Sequence, residues 1–406
     1  MKVCLLTSSF PRNAEDPAGI FIYHLAKWLA RKNVDVSVLA PHDSGCQFFE
    51  AGENFRIFRF PYFYPFRFQK LCYGAGIFQN IKSRRILLSQ VPLFFLSEMI
   101  AGAMLSKKLQ PHVIHAHWSI PQGVTGVIAK KILGIPCITT IHGSDVFAMK
   151  APLPGLLNRW VLRKSDICTV NSDQTARITR NISGRDDIVR IPMGVDVDFF
   201  KNTGKRQELK KRLGISGRIV LYVGRLIDWK GVNDLILAMP KVLTEFPDAT
   251  LLIAGDGPER KVLNQLAEDP GIRGKVCFAG VRSQAEIREY YSAADVFVLP
   301  SIENSDGETE GLGVVLLEAM SCGVPVIGSN VGGIGDIVKH ETTGILVPQK
   351  DPGAIAQGIL RIFEDERLKT KLVLNGRRFV ETHFSWDVVS DRFIHLYKTI
   401  SNDQRF

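Results

Sequence analysis

Two carboxylates with seven residues between them, Glu310 and Glu318, stand in the stretch Ser301-Ile-Glu-Asn-Ser-Asp-Gly-Glu-Thr-Glu310-Gly-Leu-Gly-Val-Val-Leu-Leu-Glu318-Ala-Met-Ser-Cys-Gly-Val-Pro325. An apolar strand, Val296-Phe-Val-Leu-Pro300, runs into a polar Gly-containing loop, and an apolar helix is predicted to begin near Leu312. A loop-to-helix junction of this kind presents unpaired backbone N–H groups and the positive end of the helix dipole, which suits phosphate. Glu310 precedes the helix and Glu318 lies about two turns along it, so the pair cannot converge on one small spot. They suit two parts of one extended ligand. Other chemistries lack their residues. No GxxxxGK[ST] or GxSxG occurs, and Gly255-Asp-Gly257-Pro-Glu-Arg260 fails GxGxxG at its third glycine. In His112-Val-Ile-His115-Ala-His117, His115 and His117 share one face of a strand while His112 points the other way, so the run reads as polar residues at a strand end rather than a metal site.

The elements that must hold these residues alternate strand and helix along nearly the whole chain. Lys2-Val-Cys-Leu-Leu-Thr-Ser8, 34–40, 55–60, 112–117, 137–142 and 167–171 read as strands, with helices near 20–31, 92–109, 122–133 and 153–164. The pattern restarts at Arg218 with strands at 218–225, 250–255, 275–280, 296–300 and 324–330, and with helices near 232–245, 259–267, 284–293 and 312–321. Uniformly apolar strands joined by crossover helices predict an α/β chain of two Rossmann-like, doubly wound parallel-sheet domains facing a cleft. The expected divisions are 1–200, 201–385, and a terminal helix in 386–406 crossing back to the first domain.

The 406 residues, 45% apolar and 23% charged, exclude a disordered or fibrous chain. Charge is uneven: residues 1–195 carry 24 Lys and Arg against 12 Asp and Glu, and the remainder carries 27 against 29. A basic first half points to an anionic partner, whether nucleic acid, membrane surface or phosphorylated substrate. Nucleic acid is disfavoured because no recognised module is present. Seven dispersed Cys without a CxxC pair read as reduced, buried thiols of a cytoplasmic protein. The N-terminus reads as a first buried strand without a cleavage site, and the longest apolar candidate, Val91 to Leu105, is interrupted by Glu98, so no transmembrane helix is expected.

Taken in order, the opening strand with its Gly19 loop, Ile141-His142-Gly143-Ser144-Asp145, Ile191-Pro-Met-Gly-Val-Asp-Val-Asp-Phe-Phe200, Val223-Gly-Arg225-Leu-Ile-Asp-Trp-Lys230-Gly231, Ala254-Gly-Asp-Gly-Pro258, the Glu310–Glu318 segment and Val331-Gly-Gly333 resemble the retaining glycosyltransferases of family 4 over almost the full chain. Any one of these motifs is weak, and their joint order is specific. The Gly307-Glu-Thr-Glu310-Gly loop is more loosely similar to transferases that build bacterial exopolysaccharides and cell envelopes.

The resemblance implies the GT-B architecture, with a UDP- or GDP-linked sugar held mainly by the second domain and a glycan or lipid-linked acceptor by the first. It implies that Arg225 and Lys230 bind the diphosphate, that Glu318 binds the ribose hydroxyls, that Glu310 binds the donor sugar, and that the N–H groups of Leu312, Gly313 and Val314 meet the phosphates. Many relatives carry Pro at 313, so Gly313 is expected to loosen the helix start. Gly19 matches a loop that closes over the phosphates, and His142 matches a histidine that contacts the donor sugar. With no Asp-x-Asp in the phosphate-side loops, no metal or other cofactor is expected. Retention by front-face attack makes positioning and electrostatics the catalytic contributions. The alternatives are an epimerase or phosphorylase on the same fold, or a catalytically silent sugar-nucleotide binder.

Residues 55–68 hold eight aromatics, and 54–90 hold seven Lys or Arg with no Asp or Glu. This mixture, spanning residues 55–95, suits the headgroup layer of an anionic membrane and predicts peripheral docking at the inner face of the cytoplasmic membrane.

Overall fold

The computed structural model describes residues 1–13, 16–74, 76–147 and 152–402. Two compact units form, one from Met1–Ile191 completed by the chain from Val389, the other from Pro192–Val388.

In the first unit the strands are β1 (Lys2–Leu6), β2 (Asp35–Pro41), β3 (Phe49–Ala51), β4 (Arg56–Phe60), β5 (Val113–His117), β6 (Cys137–Ile141), β7 (Ile167–Val170) and β8 (Val189–Arg190). They pair in the order β3-β4-β2-β1-β5-β6-β7-β8, parallel throughout except for the edge strand β3, which runs antiparallel to β4. In the second unit β9 (Ile219–Val223), β10 (Thr250–Ala254), β11 (Val276–Gly280), β12 (Val296–Leu299), β13 (Val326–Ser329) and β14 (Ile345–Val347) pair as β11-β10-β9-β12-β13-β14, all parallel. Both are doubly wound α/β sheets. Their central strands are apolar at nearly every position because helices cover both faces. Five of the seven cysteines, at 4, 72, 137, 168 and 322, are buried free thiols.

The sequence places the domain break at 200, whereas the second unit already begins at Pro192. The reason is local pairing. Val195 N–H donates to Phe384 O at 2.8 Å, Trp386 N–H donates to Val195 O at 3.1 Å, and Gly194 lies flat against the Trp386 ring. The last helix, Trp386–Asn402, starts in the second unit and packs in the first, where Tyr397 and Phe393 meet His115 and Asp391 pairs with Lys32. Residues 403–406 of the expected terminal segment lie outside the described residues.

Packing within residues 55–109 bears on two expectations. The aromatic run is largely internal: Phe55, Phe60 and Tyr62 are buried, Phe58, Phe63 and Phe66 are half-buried, and only Tyr64 and Phe68 of the eight are exposed. Burying one such ring is worth roughly 1.5–3 kcal/mol, so the sheet and its covering helix take them. Phe60 and Tyr62 pack edge-on against Phe94, at 5.2 and 5.1 Å between ring centres.

The second is the length of the apolar helix that follows. Arg85–Leu109 forms one continuous 25-residue helical run in which an 18-residue window has mean hydropathy 1.6, enough by length and composition alone to cross a membrane, a test that core helices also pass. A 3-10 turn, Arg85–Ser89, joins the α-helix Gln90–Leu109 end to end, and that junction is what the sequence does not reveal. One face of this helix, through Phe94, Glu98, Gly102 and Leu105, is buried in the unit.

Candidate functional site

Strands β9 and β12 are neighbours, with Phe297 opposite Leu221, and the sheet order reverses between them. Their carboxyl-end loops therefore emerge side by side at the switch point, where ligands of open α/β sheets bind. Backbone and side chain lace the two loops together. Ile302 N–H donates to Trp229 O at 2.8 Å, and Asn304 Nδ2 donates to Asp228 Oδ2 at 2.9 Å.

This lacing brings together two residues predicted separately. Lys230 Nζ forms an ion pair with Glu310 Oε2, and only 12% and 10% of the two side chains is exposed. Ser301 Oγ donates to the same oxygen at 3.3 Å, and Gly333 N–H donates to Glu310 O at 2.9 Å, so the Val331-Gly-Gly333 loop fixes the backbone of Glu310. The Lys230 ammonium lies 4.5 Å from the centre of the Trp229 ring. Arg225 follows β9 with its side chain exposed and without an ion pair among the described residues, and its carbonyl accepts from Tyr222 Oη at 3.0 Å.

The helix after this loop begins at Val314, two residues later than expected, because Gly313 is its N-cap in the left-handed region at φ 86°. A side chain there would be strained and its Cβ would lie 3.1 Å from Leu299 Cδ2. Proline, fixed near φ −65°, cannot adopt this conformation. Gly313 thus sets the start of the helix rather than loosening it. Among the described residues the N–H groups of Leu312, Gly313 and Val314 donate to no protein acceptor, leaving three donors at the head of the helix. Glu318 lies on the same helix, Val314–Ser321. Burial pushes its carboxyl up to about 7, against the opposing hydrogen bond from Tyr291 Oη at 2.9 Å.

Gly19 and His142 belong to the first unit. Gly19, at φ 63°, caps the helix Ile20–Arg31, and a Cβ there would stand 2.0 Å from Ser9 O, so the loop after β1 closes only on glycine. His142 follows β6. Its ring stacks on His117 at 5.3 Å, with His142 Nε2 and His117 Nδ1 3.1 Å apart, and it contacts Phe21 and Trp118. Asp145 shapes the turn: Oδ1 accepts from the N–H groups of His142 and Gly143, and Oδ2 accepts from Ser119 N–H. Burial raises the Asp145 carboxyl to about 6 despite those donors, and burial lowers the His142 imidazole to about 3.

His115 lies 4.3 Å from His117 between ring centres, as the strand period requires, and it is held by Tyr397 Oη at 2.7 Å and Thr140 Oγ1 at 2.6 Å. His112 Nδ1 instead accepts from Lys2 N–H at 2.9 Å. No group of three or more His, Cys, Asp or Glu side chains able to hold a metal ion gathers among the described residues. Sequence reasoning missed Ser301 and Tyr291 as partners of the two glutamates, and His117 as the partner of His142. Ser301 carries one usable signal, its position directly after the apolar strand.

Paired doubly wound sheets with a Glu-bearing loop and helix at the switch point of the second define the GT-B class of glycosyltransferases. Residues 18–199 match the model described as Glycosyltransferase Family 4, and residues 205–379 match Glycosyl transferases group 1. The chain is 31% identical over 346 residues to the N-acetyl-alpha-D-glucosaminyl L-malate synthase of Bacillus anthracis, covering 84% of this chain and 87% of the relative. It is also 31% identical to a GDP-mannose-dependent alpha-(1-6)-phosphatidylinositol monomannoside mannosyltransferase of Mycobacterium tuberculosis, over 62% of this chain and 67% of that one. The structure of a sucrose-phosphate synthase from Thermosynechococcus elongatus superposes with TM-score 0.80 at 26% identity, covering 98% of both chains. The chain belongs to the family 4 glycosyltransferases.

Proposed function

We propose that this glycosyltransferase moves a sugar from a nucleotide-diphosphate sugar to a glycan or lipid-linked acceptor, with retention of configuration and without a metal. The observation that carries the reading is the Lys230–Glu310 ion pair beside the three free N–H groups at 312–314. A diphosphate arriving at the helix head competes with Glu310 for the Lys230 ammonium. Once Lys230 turns to phosphate, the Glu310 carboxylate is released to accept hydrogen bonds from the donor sugar hydroxyls. Arg225 adds a second cation, Glu318 accepts from the ribose hydroxyls, and His142 supplies a neutral imidazole to the sugar. In front-face attack the acceptor oxygen bonds to the anomeric carbon on the side from which the phosphate leaves. The departing phosphate oxygen takes the acceptor proton, while Lys230, Arg225 and the N–H groups stabilise its charge.

Support for a nucleotide-sugar donor and a lipid-borne acceptor comes from the mycobacterial relative, whose name states both for that protein. Docking at the inner face of an anionic membrane fits the same reading. Its support in this chain is the exposed cations Arg67, Lys70, Lys82, Arg84 and Arg85 and an exposed apolar stripe, Leu93, Leu96, Ile100 and Met104, on the helix Gln90–Leu109.

The test is a panel of UDP- and GDP-sugars scored by thermal shift, since a ligand at 100 times its Kd stabilises by about 2.7 kcal/mol. The sugar that shifts the protein is then turned over with and without acceptor. Nucleoside diphosphate released only with acceptor, and a product of retained anomeric configuration, is expected. Turnover of the sugar nucleotide alone sinks the reading in favour of an epimerase.

A further inference from the structure

The helix Gln90–Leu109 is apolar on two faces. Phe94, Glu98 and Leu105 point inward, while Leu93, Leu96, Ile100 and Met104, at spacings of three and four, form one outward stripe. Ile86, 80% exposed on the preceding turn, extends the stripe at one end, and Lys107 and Lys108 close it at the other. At that lysine end the stripe does not stop on a flat surface. It runs into a crevice of about 630 Å3, walled by Phe48 and Phe58 on the sheet side and by Met104 and Leu105 on the helix side. Its volume falls within the roughly 300–1,000 Å3 of sites that hold small ligands.

The charged side chains that line the crevice are all cations. Lys107 and Lys108 are exposed and make no ion pair among the described residues, and no Asp or Glu lines it. Arg59, also on the lining, is committed to Glu50 at 2.6 Å and to the Pro11 carbonyl at 2.6 Å. Met104 is 68% exposed and Phe48 50% exposed, so the apolar walls are open to a ligand. An apolar slot continuous with an apolar stripe, with two unpaired ammonium groups at its mouth, is complementary to a hydrocarbon chain bearing an anionic head.

We propose that the crevice between β4 and the end of the helix Gln90–Leu109 holds one hydrocarbon chain of an anionic membrane lipid, with Lys107 and Lys108 on its headgroup. The site goes beyond the docking reading on which it rests: docking requires only a surface, whereas the crevice requires one bound chain. Bound there, the lipid orients the first unit with the outward stripe against the bilayer.

The experiment titrates the full chain with dodecyl phosphate below its micellar concentration, and with dodecylphosphocholine as the zwitterionic control. One molecule of dodecyl phosphate is expected to bind saturably and more tightly than the control. Met104→Glu is expected to weaken it by about tenfold or more, while Met104→Leu retains it. Lys107→Ser with Lys108→Ser should erase the preference for phosphate, and salt should weaken binding. These positions are exposed, so unchanged thermal melting verifies the variants. No saturable binding, many molecules per chain, or equal binding by Met104→Glu overturns the proposal. Sedimentation with vesicles of phosphatidylglycerol and phosphatidylcholine separates the two readings. Wild type that sediments yet binds no dodecyl phosphate keeps docking and removes the crevice; failure of both assays removes both. A concentration-dependent dimer abolished by Met104→Glu overturns the proposal in favour of a second copy of this chain.

Discussion

Lys230→Ala acts on two quantities that can be measured apart. In the unliganded protein it leaves Glu310, 8% exposed, with Ser301 Oγ at 3.3 Å as its side-chain partner. Stranding one charge of a buried pair costs about 3–5 kcal/mol, so the midpoint of denaturant unfolding should fall sharply. By the proposed mechanism it also removes a charged contact to the leaving phosphate worth about 1.5–3 kcal/mol, an expected loss of roughly 10- to 150-fold in kcat/KM. A second variant separates the effects. Lys230→Met combined with Glu310→Gln removes both charges, and replacing a buried ion pair by neutral groups is often neutral or stabilising. Its unfolding midpoint should return towards wild type while turnover stays lost. Lys230→Arg keeps a cation for Glu310 and should spare stability more than activity, because a planar fork does not replace a compact ammonium. The assays are urea unfolding and acceptor-dependent release of nucleoside diphosphate. A Lys230→Ala enzyme within about threefold of wild-type kcat/KM, or a double variant that recovers turnover, refutes the assignment.

Glu318→Ala should raise the donor KM by about thirtyfold, the equivalent of one charged hydrogen bond, with Glu310→Gln acting more on kcat. Because the Glu318 carboxyl sits near 7 and only its ionised form accepts from both ribose hydroxyls, donor KM should rise as pH falls through about 7, and Glu318→Gln should flatten that profile. Turnover should persist in excess EDTA; loss restored by Mn2+ or Mg2+ would show the metal-free reading to be wrong. Glu98, fully buried on the helix Gln90–Leu109, is pushed up to about 8 by burial, so the folded protein holds its proton from about pH 4.5, where the unfolded chain releases it, to about 8. Its contribution to stability is greatest below that window and falls by on the order of 5 kcal/mol as pH rises through it; Glu98→Gln should remove the decline, measured as unfolding free energy at pH 5 and 9. Gly313→Pro should abolish donor binding and lower the melting temperature, since φ 86° is closed to proline.

Whether a feature was legible in the sequence depended on whether its cause was local. The strands of both sheets announce themselves because burial on two faces demands continuous apolar runs, and Val3 to Leu6 or Val220 to Val223 satisfy that demand without reference to the rest of the chain. β3 and β8, of three and two residues, carry no such run and exist only because a neighbouring strand offers them its edge. The Glu310 and Glu318 positions follow from one loop and one helix. The Lys230–Glu310 pair, 80 residues apart in sequence, depends on β9 and β12 being neighbours, which no window of residues contains. Residues 55–95 show the same limit from the other side. Aromatic and cationic residue types there suit a membrane surface, yet which of them face outward is decided by the sheet and by Phe94, which draw Phe60 and Tyr62 inward. Among the apolar side chains left outside, Ile86, Leu93, Leu96, Ile100 and Met104 form a stripe invisible until the helix is known to spend Phe94, Glu98 and Leu105 on its other face. Composition places the basic excess in the first half of the chain, and only packing identifies the helix that carries this outward stripe.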